Sequence, residues 1–403
     1  MMDIFRNMYR RIIFSSIKNC DEEPDIDNWF IFMGGLPIPN DYIDESYNKY
    51  RCRKYYFQNY KLFFLNIVSF PLYLWMRFHL LGKKQHSVNP DRGKLIIEIK
   101  EDVDYKDVLP HQFYDDYSNI EYVKSEKSSR NIRKLEFTQE AKNIFKKVIK
   151  RHPLAFYYLL WVGKELSKHS KYIKEYNPAA TAVYIEERNI ASPILRQLYE
   201  STNRKYISFM HGMYLLQLIQ GFMGFTEYYI WDKEYETTFS QLLKCNIKNY
   251  ILYKPIKLQK KWNLQNDNPE YYCTYYLSGE SKESIKLLRD IFEQFDKSGK
   301  KCLVRPHPRV SHWELIHRFF PENMIENFQE ISLEQSLKRT KYVLGLETTV
   351  LAEAYCEGKE IVIDDITNRD KYLNLKKRKM ITLKWPHLLL SNLVNNEDEE
   401  RVK

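Results

Sequence analysis

Three groups of residues have the types and spacing to do chemistry. The first is Arg305-Pro306-His307-Pro308-Arg309, an imidazole between two guanidinium groups. Side chains of that kind, crowded into five residues, suit an anion, because charge-assisted hydrogen bonds to phosphate oxygens are among the strongest a protein makes. The second is Glu347-Thr348-Thr349, which follows Gly345 and opens a helical pattern. A helix start presents unpaired N–H groups and the positive end of the peptide dipoles, and hydroxyls placed there add donors. With Gly279 in the turn Ser278-Gly279-Glu280, these residues describe a phosphate site, and a nucleotide is the expected ligand. The third group comprises Glu186-Glu187 and His211-Gly212, each closing an apolar run. A carboxylate or an imidazole so placed can act as a general base, and a glycine beside His211 permits close approach of a ligand.

Strands must deliver these residues. CLV (302–304) reads as a short buried strand that ends on Arg305 and His307, with Pro306 and Pro308 stopping it because neither can donate a ladder hydrogen bond. YVL (342–344) is a second strand, Thr348-Thr349 start a helix that runs through Ala354, Gly358 stops it, and IVI (361–363) is a third strand. Strand, helix and strand in this order make a unit of parallel sheet, whose ligands gather at the carboxyl ends of the strands. The same pattern occurs earlier: TAVYI (181–185) leads to Glu186, a helix starts near Pro193, and YISFM (206–210) leads to His211 before a strand at 228–231.

Elsewhere WFIFM (29–33) reads as a first strand with Gly34-Gly35 turning after it, KLIIEIK (94–100) as a strand, and 102–131 as loop with short helices. Residues 137–150 form an amphipathic helix capped by Thr138, and 154–171 continue helical. His152-Pro153 lies between those helices and follows no strand, so it is read as a chance match. The basic, polar stretch 246–267 reads as a crossing between domains. Beyond it stand a strand at 271–277, a helix at 282–295 ended by Gly299, and a charged helical stretch from 365 to about 392. The architecture expected is α/β, two Rossmann-like domains covering 1–245 and 246–403.

Composition limits the partners. The chain has 403 residues, enough for two cores. Its net charge of +10 suits a nucleotide, an anionic glycan, an anionic lipid surface or a nucleic acid. With 32 Tyr and 22 Phe spread through every segment and no recognised DNA or RNA motif, a nucleic-acid-binding protein is the weaker reading. Only 12 glycines argue against glycine-rich phosphate loops. The six cysteines are scattered without a C-x-x-C pair, which fits a reducing cytoplasm, and the N-terminal residues are no secretory signal. Asp364-Asp365 ends a strand, where it can bind a ribose or cap a helix; with no D-x-D motif at a suitable strand end, no essential metal and no cofactor are expected. Within 51–84, residues 62–76 are nearly all apolar between basic, aromatic flanks, and the segment reads either as a buried helix pair or as one lying in a membrane interface.

His307-Pro308 followed some forty residues on by Thr348-Thr349 resembles the nucleotide-binding half of bacterial GT-B glycosyltransferases, in particular the sialyltransferases and polysialyltransferases that use CMP-activated sugars. The hydroxyl pair departs from the two serines usual there. The resemblance implies two Rossmann-like domains facing each other across a cleft: an N-terminal acceptor domain, and a C-terminal donor domain whose Gly279, Arg305, His307, Pro308, Arg309, Glu347, Thr348 and Thr349 hold the donor phosphate. Glu186-Glu187 stands where that family carries its acidic pair, but Arg188 replaces the glycine that follows it; Glu186, Glu187 and His211 all remain candidates for the base. His211-Gly212 is also similar to a His-Gly pair of teichoic-acid and capsule glycosyltransferases, so a teichoic-acid-like polymerase or a UDP- or GDP-sugar enzyme is the alternative. The implied partners are a sugar nucleotide and a glycan or lipid-linked glycan, met in the cytoplasm, with contact at the inner face of the membrane.

Overall fold

The computed structural model describes residues 26–401 apart from 56–58, 81–88, 100–107, 125–134, 185–186, 211, 214–216, 260–261, 265, 267 and 309. The chain divides into two compact units, Met1–His211 with Leu216–Pro255, and Gly212–Leu215 with Ile256–Lys403. Each unit is built on one parallel sheet flanked by helices, so the α/β class and the two Rossmann-like halves are both present.

In the first unit the elements are α1 (Ile26–Gly34), α2 (Tyr42–Tyr55), α3 (Asn59–Leu80), β1 (Asp91–Ile99), α4 (Gln112–Asp116), β2 (Asn119–Lys124), α5 (Gln139–Arg151), α6 (Phe156–Tyr176), β3 (Pro178–Tyr184), α7 (Ser192–Glu200), β4 (Lys205–Phe209), β5 (Gly224–Ile230), α8 (Glu234–Thr237) and β6 (Asn246–Leu252). The sheet runs β2-β1-β3-β4-β5-β6 with every pair parallel. Its central strands are apolar on both faces, as a sheet covered on both sides requires: β5 is buried along its whole length. Three sequence readings are corrected. Within 102–131, read as loop with short helices, Asn119–Lys124 is strand β2, paired to β1. WFIFM is the middle of α1, not a strand; Trp29 and Met33, four apart, are buried while Phe30 and Ile31 are exposed, which is a helical pattern that so short an apolar run conceals. Residues 246–252 are β6, an edge strand of the first sheet paired to β5, rather than the start of a crossing.

The second unit contains α9 (Ile256–Gln259), β7 (Tyr271–Tyr276), α10 (Lys282–Lys297), β8 (Cys302–Arg305), α11 (Trp313–Phe319), α12 (Leu333–Arg339), β9 (Thr340–Gly345), α13 (Thr349–Cys356), β10 (Ile361–Ile363), α14 (Arg369–Lys377), β11 (Leu388–Leu389) and α15 (Leu390–Arg401). Its sheet runs β11-β10-β9-β7-β8, again parallel throughout. Strand alternation splits its core in two: Tyr275, Val304, Leu344 and Val362 face α10, while Tyr276, Val343, Ile361 and Ile363 face α12 and α13. Helix α10 forms where Ser281 caps it by accepting from the Ser284 N–H, and it buries Ile285, Leu288, Ile291, Phe292 and Phe295 along one stripe. Helix α13 ends at Gly358, as expected, in the left-handed conformation at φ 79°.

A buried cation ties the first unit together. Lys49 of α2 is fully enclosed, and its Nζ donates to the carbonyls of Glu187 at 2.7 Å, Gly221 at 3.1 Å and Ile219 at 3.2 Å. It thereby fixes the loop after β3 to the connection between β4 and β5. Burial pulls its ammonium down from the ordinary 10.5 to about 8. Replacing it by methionine would leave three buried carbonyls without a donor, and we expect Lys49→Met to cost about 3 kcal/mol in denaturant unfolding near neutral pH. The lysine's own contribution has a sign that can be checked. Its folded value lies below its unfolded one, so between pH 8 and 10.5 the unfolded chain binds more protons. The stability of the native chain relative to the variant therefore rises over that window, and this pH-dependent increment, added to the cost at neutral pH, is lost as pH falls through about 8.

Candidate functional site

The strand order of the second sheet reverses at β7, whose neighbours β8 and β9 both come later in the chain. In open parallel sheets, ligands settle outside the carboxyl ends of the strands at such a reversal. Three expected segments meet there. After β7 comes the turn Ser278-Gly279-Glu280. Gly279 has φ 97°, open to glycine at little cost, and a side chain on it would touch the Val310 carbonyl at 3.5 Å. The Glu280 carboxylate accepts from the Ser278 N–H at 2.8 Å and from its hydroxyl at 2.9 Å, which closes the turn. Burial raises the Glu280 carboxyl above the usual range, against the Ser278 donors and the charge of Lys371.

After β8 comes His307, half-buried, with Pro308 exposed beside it. The His307 N–H donates to Ser311 Oγ at 2.7 Å, so the prolines and Ser311 together shape the turn. After β9 comes Thr348, the N-cap of α13, whose hydroxyl accepts from the Val350 N–H at 3.3 Å; Thr349 is the first helical residue. Gly345 is required here for a different reason from Gly279. A Cβ on it would fall 2.9 Å from the Thr348 methyl and 3.3 Å from the Tyr276 carbonyl. Only a glycine lets the helix start press against the end of β7. Glu347 points to α14, where Lys371 Nζ lies 2.9 Å from its carboxylate.

The structure redistributes the other candidates. Arg305 is buried, and its guanidinium is spent inside the fold: Nη1 pairs with Glu326 at 2.6 Å and Nη2 donates to the Ile331 carbonyl at 2.9 Å. Arg305 thus braces β8 against the segment at 326–331 instead of facing a ligand, which corrects its reading as a phosphate contact. Asp364 is likewise a fastener. Fully buried, it accepts from Tyr275 Oη at 2.8 Å, from the N–H groups of Ile366 and Thr367, and from the Thr367 hydroxyl. Asp365 accepts from the N–H and hydroxyl of Ser391. Neither acid is placed for a ribose. Arg309, Glu186 and His211 lie outside the described residues. Glu187 is buried; its carboxylate accepts from Tyr228 Oη at 3.4 Å and its carbonyl from Lys49. A carboxylate enclosed in this way cannot reach an acceptor hydroxyl without rearrangement.

Sequence reasoning passed over Ser278, Glu280, Ser311 and Lys371 as members of the site. Ser278 and Glu280 carried a signal, since they flank the turn glycine. Lys371 carried none, being one lysine of a charged helix.

No family model matches the chain, and no curated protein sequence matches it. Solved structures with a similar course of the chain include the wall teichoic acid polymerase TagF, at TM-score 0.41 and 11% identity over 84% of this chain and 87% of that one. The UDP-GlcNAc 2-epimerase of Methanocaldococcus jannaschii is similar at TM-score 0.41 and 10% identity, over 72% and 92%. The lipopolysaccharide outer core galactosyltransferase WaaB is similar at TM-score 0.38 and 13% identity, over 68% and 80%. Glycosyltransferases therefore stand among the neighbours; these distant likenesses carry nothing about donor or acceptor.

The cap makes a checkable statement. Thr348→Val keeps the shape but removes the acceptor at the start of α13. We expect a loss of about 1 kcal/mol in thermal or denaturant unfolding, with Thr348→Ser close to the native chain.

Proposed function

We propose that the protein is a glycosyltransferase of bacterial surface-polysaccharide synthesis, making capsule, O-antigen or lipooligosaccharide. It transfers sialic acid or Kdo from a CMP-activated donor to a hydroxyl of a glycan or lipid-linked glycan at the inner face of the cytoplasmic membrane. The observation that carries this reading is the convergence of the Gly279 turn, His307 and the Thr348 cap around the end of β7. The second unit is then the donor domain and the first the acceptor domain.

In the transfer, the bond from the anomeric carbon to the phosphate oxygen breaks while the acceptor oxygen bonds to that carbon. Negative charge grows on the departing phosphate, where the His307 imidazole, the threonine hydroxyls and the positive end of α13 stabilise it without reorganising. The acceptor proton passes to a base of the first unit. The burial of Glu187 favours Glu186 or His211 for that role. The step as written uses no divalent ion. A single phosphate suits the site better once Arg305, one of the two guanidinium groups flanking His307, is neutralised by Glu326.

His307→Ala is expected to lower kcat by about 100- to 1000-fold, the usual loss of one preorganised contact to developing charge, while thermal unfolding is unchanged. Native turnover in the variant removes His307 from the site. Calorimetry with free nucleotides tests the donor: CMP is expected to bind more tightly than UDP or GDP. The reverse order hands the site to a nucleoside-diphosphate sugar and leaves the transferase reading in place.

A further inference from the structure

Helix α3 has an outer face that stays largely exposed among the described residues. Taken at 3.6 residues per turn, Phe63, Phe64, Ile67, Phe70 and Phe78 project within a sector of about 120°. All five are exposed, from 41% at Phe70 to 74% at Phe78. Leu62, Leu65, Ser69, Tyr73 and Met76 project on the opposite side and are buried. That inner side is taken up by α6: the Phe156 ring lies 5.5 Å from Tyr73, and Met76 fills the space a side chain on Gly163 would need, while the same Phe156 ring reaches Phe70 at the edge of the outer stripe at 4.7 Å. The usual surface helix reverses this arrangement, with charge facing solvent.

The apolar surface continues past α3. Asn66 accepts from the Tyr157 N–H and donates to the Leu154 carbonyl, pinning the α5–α6 turn beside the stripe, and Leu154 there is 74% exposed. Between them opens a cavity of about 440 Å³ lined by Tyr47, Tyr50, Leu62, Phe63, His152 and Leu154 among others. The rim is basic. Arg77 is exposed on α3, Arg51 lies over the Tyr47 ring, and the exposed Lys147 and Lys150 of α5 lead into the turn that carries Leu154. Arg151 is the exception, paired with Asp41 and Asp44. Within 59–80 there is no acidic residue.

We infer that this face docks on the interfacial layer of an anionic membrane, with α3 lying in the plane of the surface and its aromatic stripe among the acyl chains. Aromatic and aliphatic side chains between basic ones are what such an interface holds, apolar burial adding to attraction for acidic headgroups. The chain's net charge of +10 acts in the same direction. The inner side of α3 is committed to α6, so the contact is one-sided; among the described residues no helix is long and apolar enough to cross a membrane. This deepens the proposed function at its lipid-linked acceptor and requires nothing of the donor site.

The test is flotation of the full chain with vesicles of phosphatidylglycerol and phosphatidylcholine, without nucleotide, so that its outcome is separate from that of the donor calorimetry. The chain is expected to float with anionic vesicles, less so at high salt, and to stay in solution with pure phosphatidylcholine. Phe64→Glu combined with Ile67→Glu should weaken binding at least tenfold with an unchanged melting midpoint. Should that double variant unfold, Phe78→Glu at the far end of the stripe must give the same loss. A native chain that ignores anionic vesicles, or variants that bind as the native chain does, overturns the inference. So does a native dimer, by light scattering, that the double variant splits, since the face then belongs to a second copy.

Discussion

Every strand in both sheets runs in the same direction as its neighbours, and the loops follow from that constraint. Parallel neighbours cannot be joined by a hairpin, so each connection must cross back along a face of the sheet, usually as a helix. The return trip buries both faces of the central strands and delivers all strand-end loops to one edge. In the second unit, the Gly279 turn, the His307 turn and the Thr348 cap occupy one edge because the sheet allows no other. Where the strand order reverses at β7, the two flanking crossovers lie on opposite faces and leave the loop ends parted.

Loops collected at an edge still have to be held, and here buried charge does it. Lys49 fastens two connections of the first unit by donating to three carbonyls. Asp364 ties β7 to the loop after β10. Arg305 and Glu326 brace the end of β8. Charges of this kind contribute little net stability when compared with apolar groups of the same shape, yet removing one partner is costly because the other stays buried. Their effect falls on position. Each sits directly beside a strand end whose loop carries a candidate residue, so the polar interior and the candidate site share the same anchors.

What could be read from the sequence follows the same physics. Central strands were legible because burial on both faces writes an unbroken apolar run, as in TAVYI and YISFM. The strands that went unread, β2, β6 and β11, are all outermost in their sheets. An edge strand is enclosed on fewer sides, and Asn246–Leu252 mixes exposed and half-buried residues with no buried run to detect. The cap at Thr348 and the stops at Gly299 and Gly358 were legible because local backbone rules dictate them. Arg305 was not, since its partner Glu326 is distant in sequence, and a guanidinium beside His307 looks the same in a list whether it turns outward or inward. Lys49 was hidden for the same reason: nothing in NKYR distinguishes a buried lysine from a solvated one.

The order of strands has a consequence for how the protein is made. In each unit the first strand among the described residues, β1 or β7, takes an interior place. The second strand adds to one side of it, and the later ones add outward in turn on the other. No strand has to wait for a partner at the far end of its unit, and no gap has to be held open for a late arrival. Each new crossover extends an edge that already exists, so the strand order is compatible with a sheet that grows as the chain is made. Chains that fold in this stepwise manner expose an unpaired edge only briefly, which limits the time available for pairing with another chain.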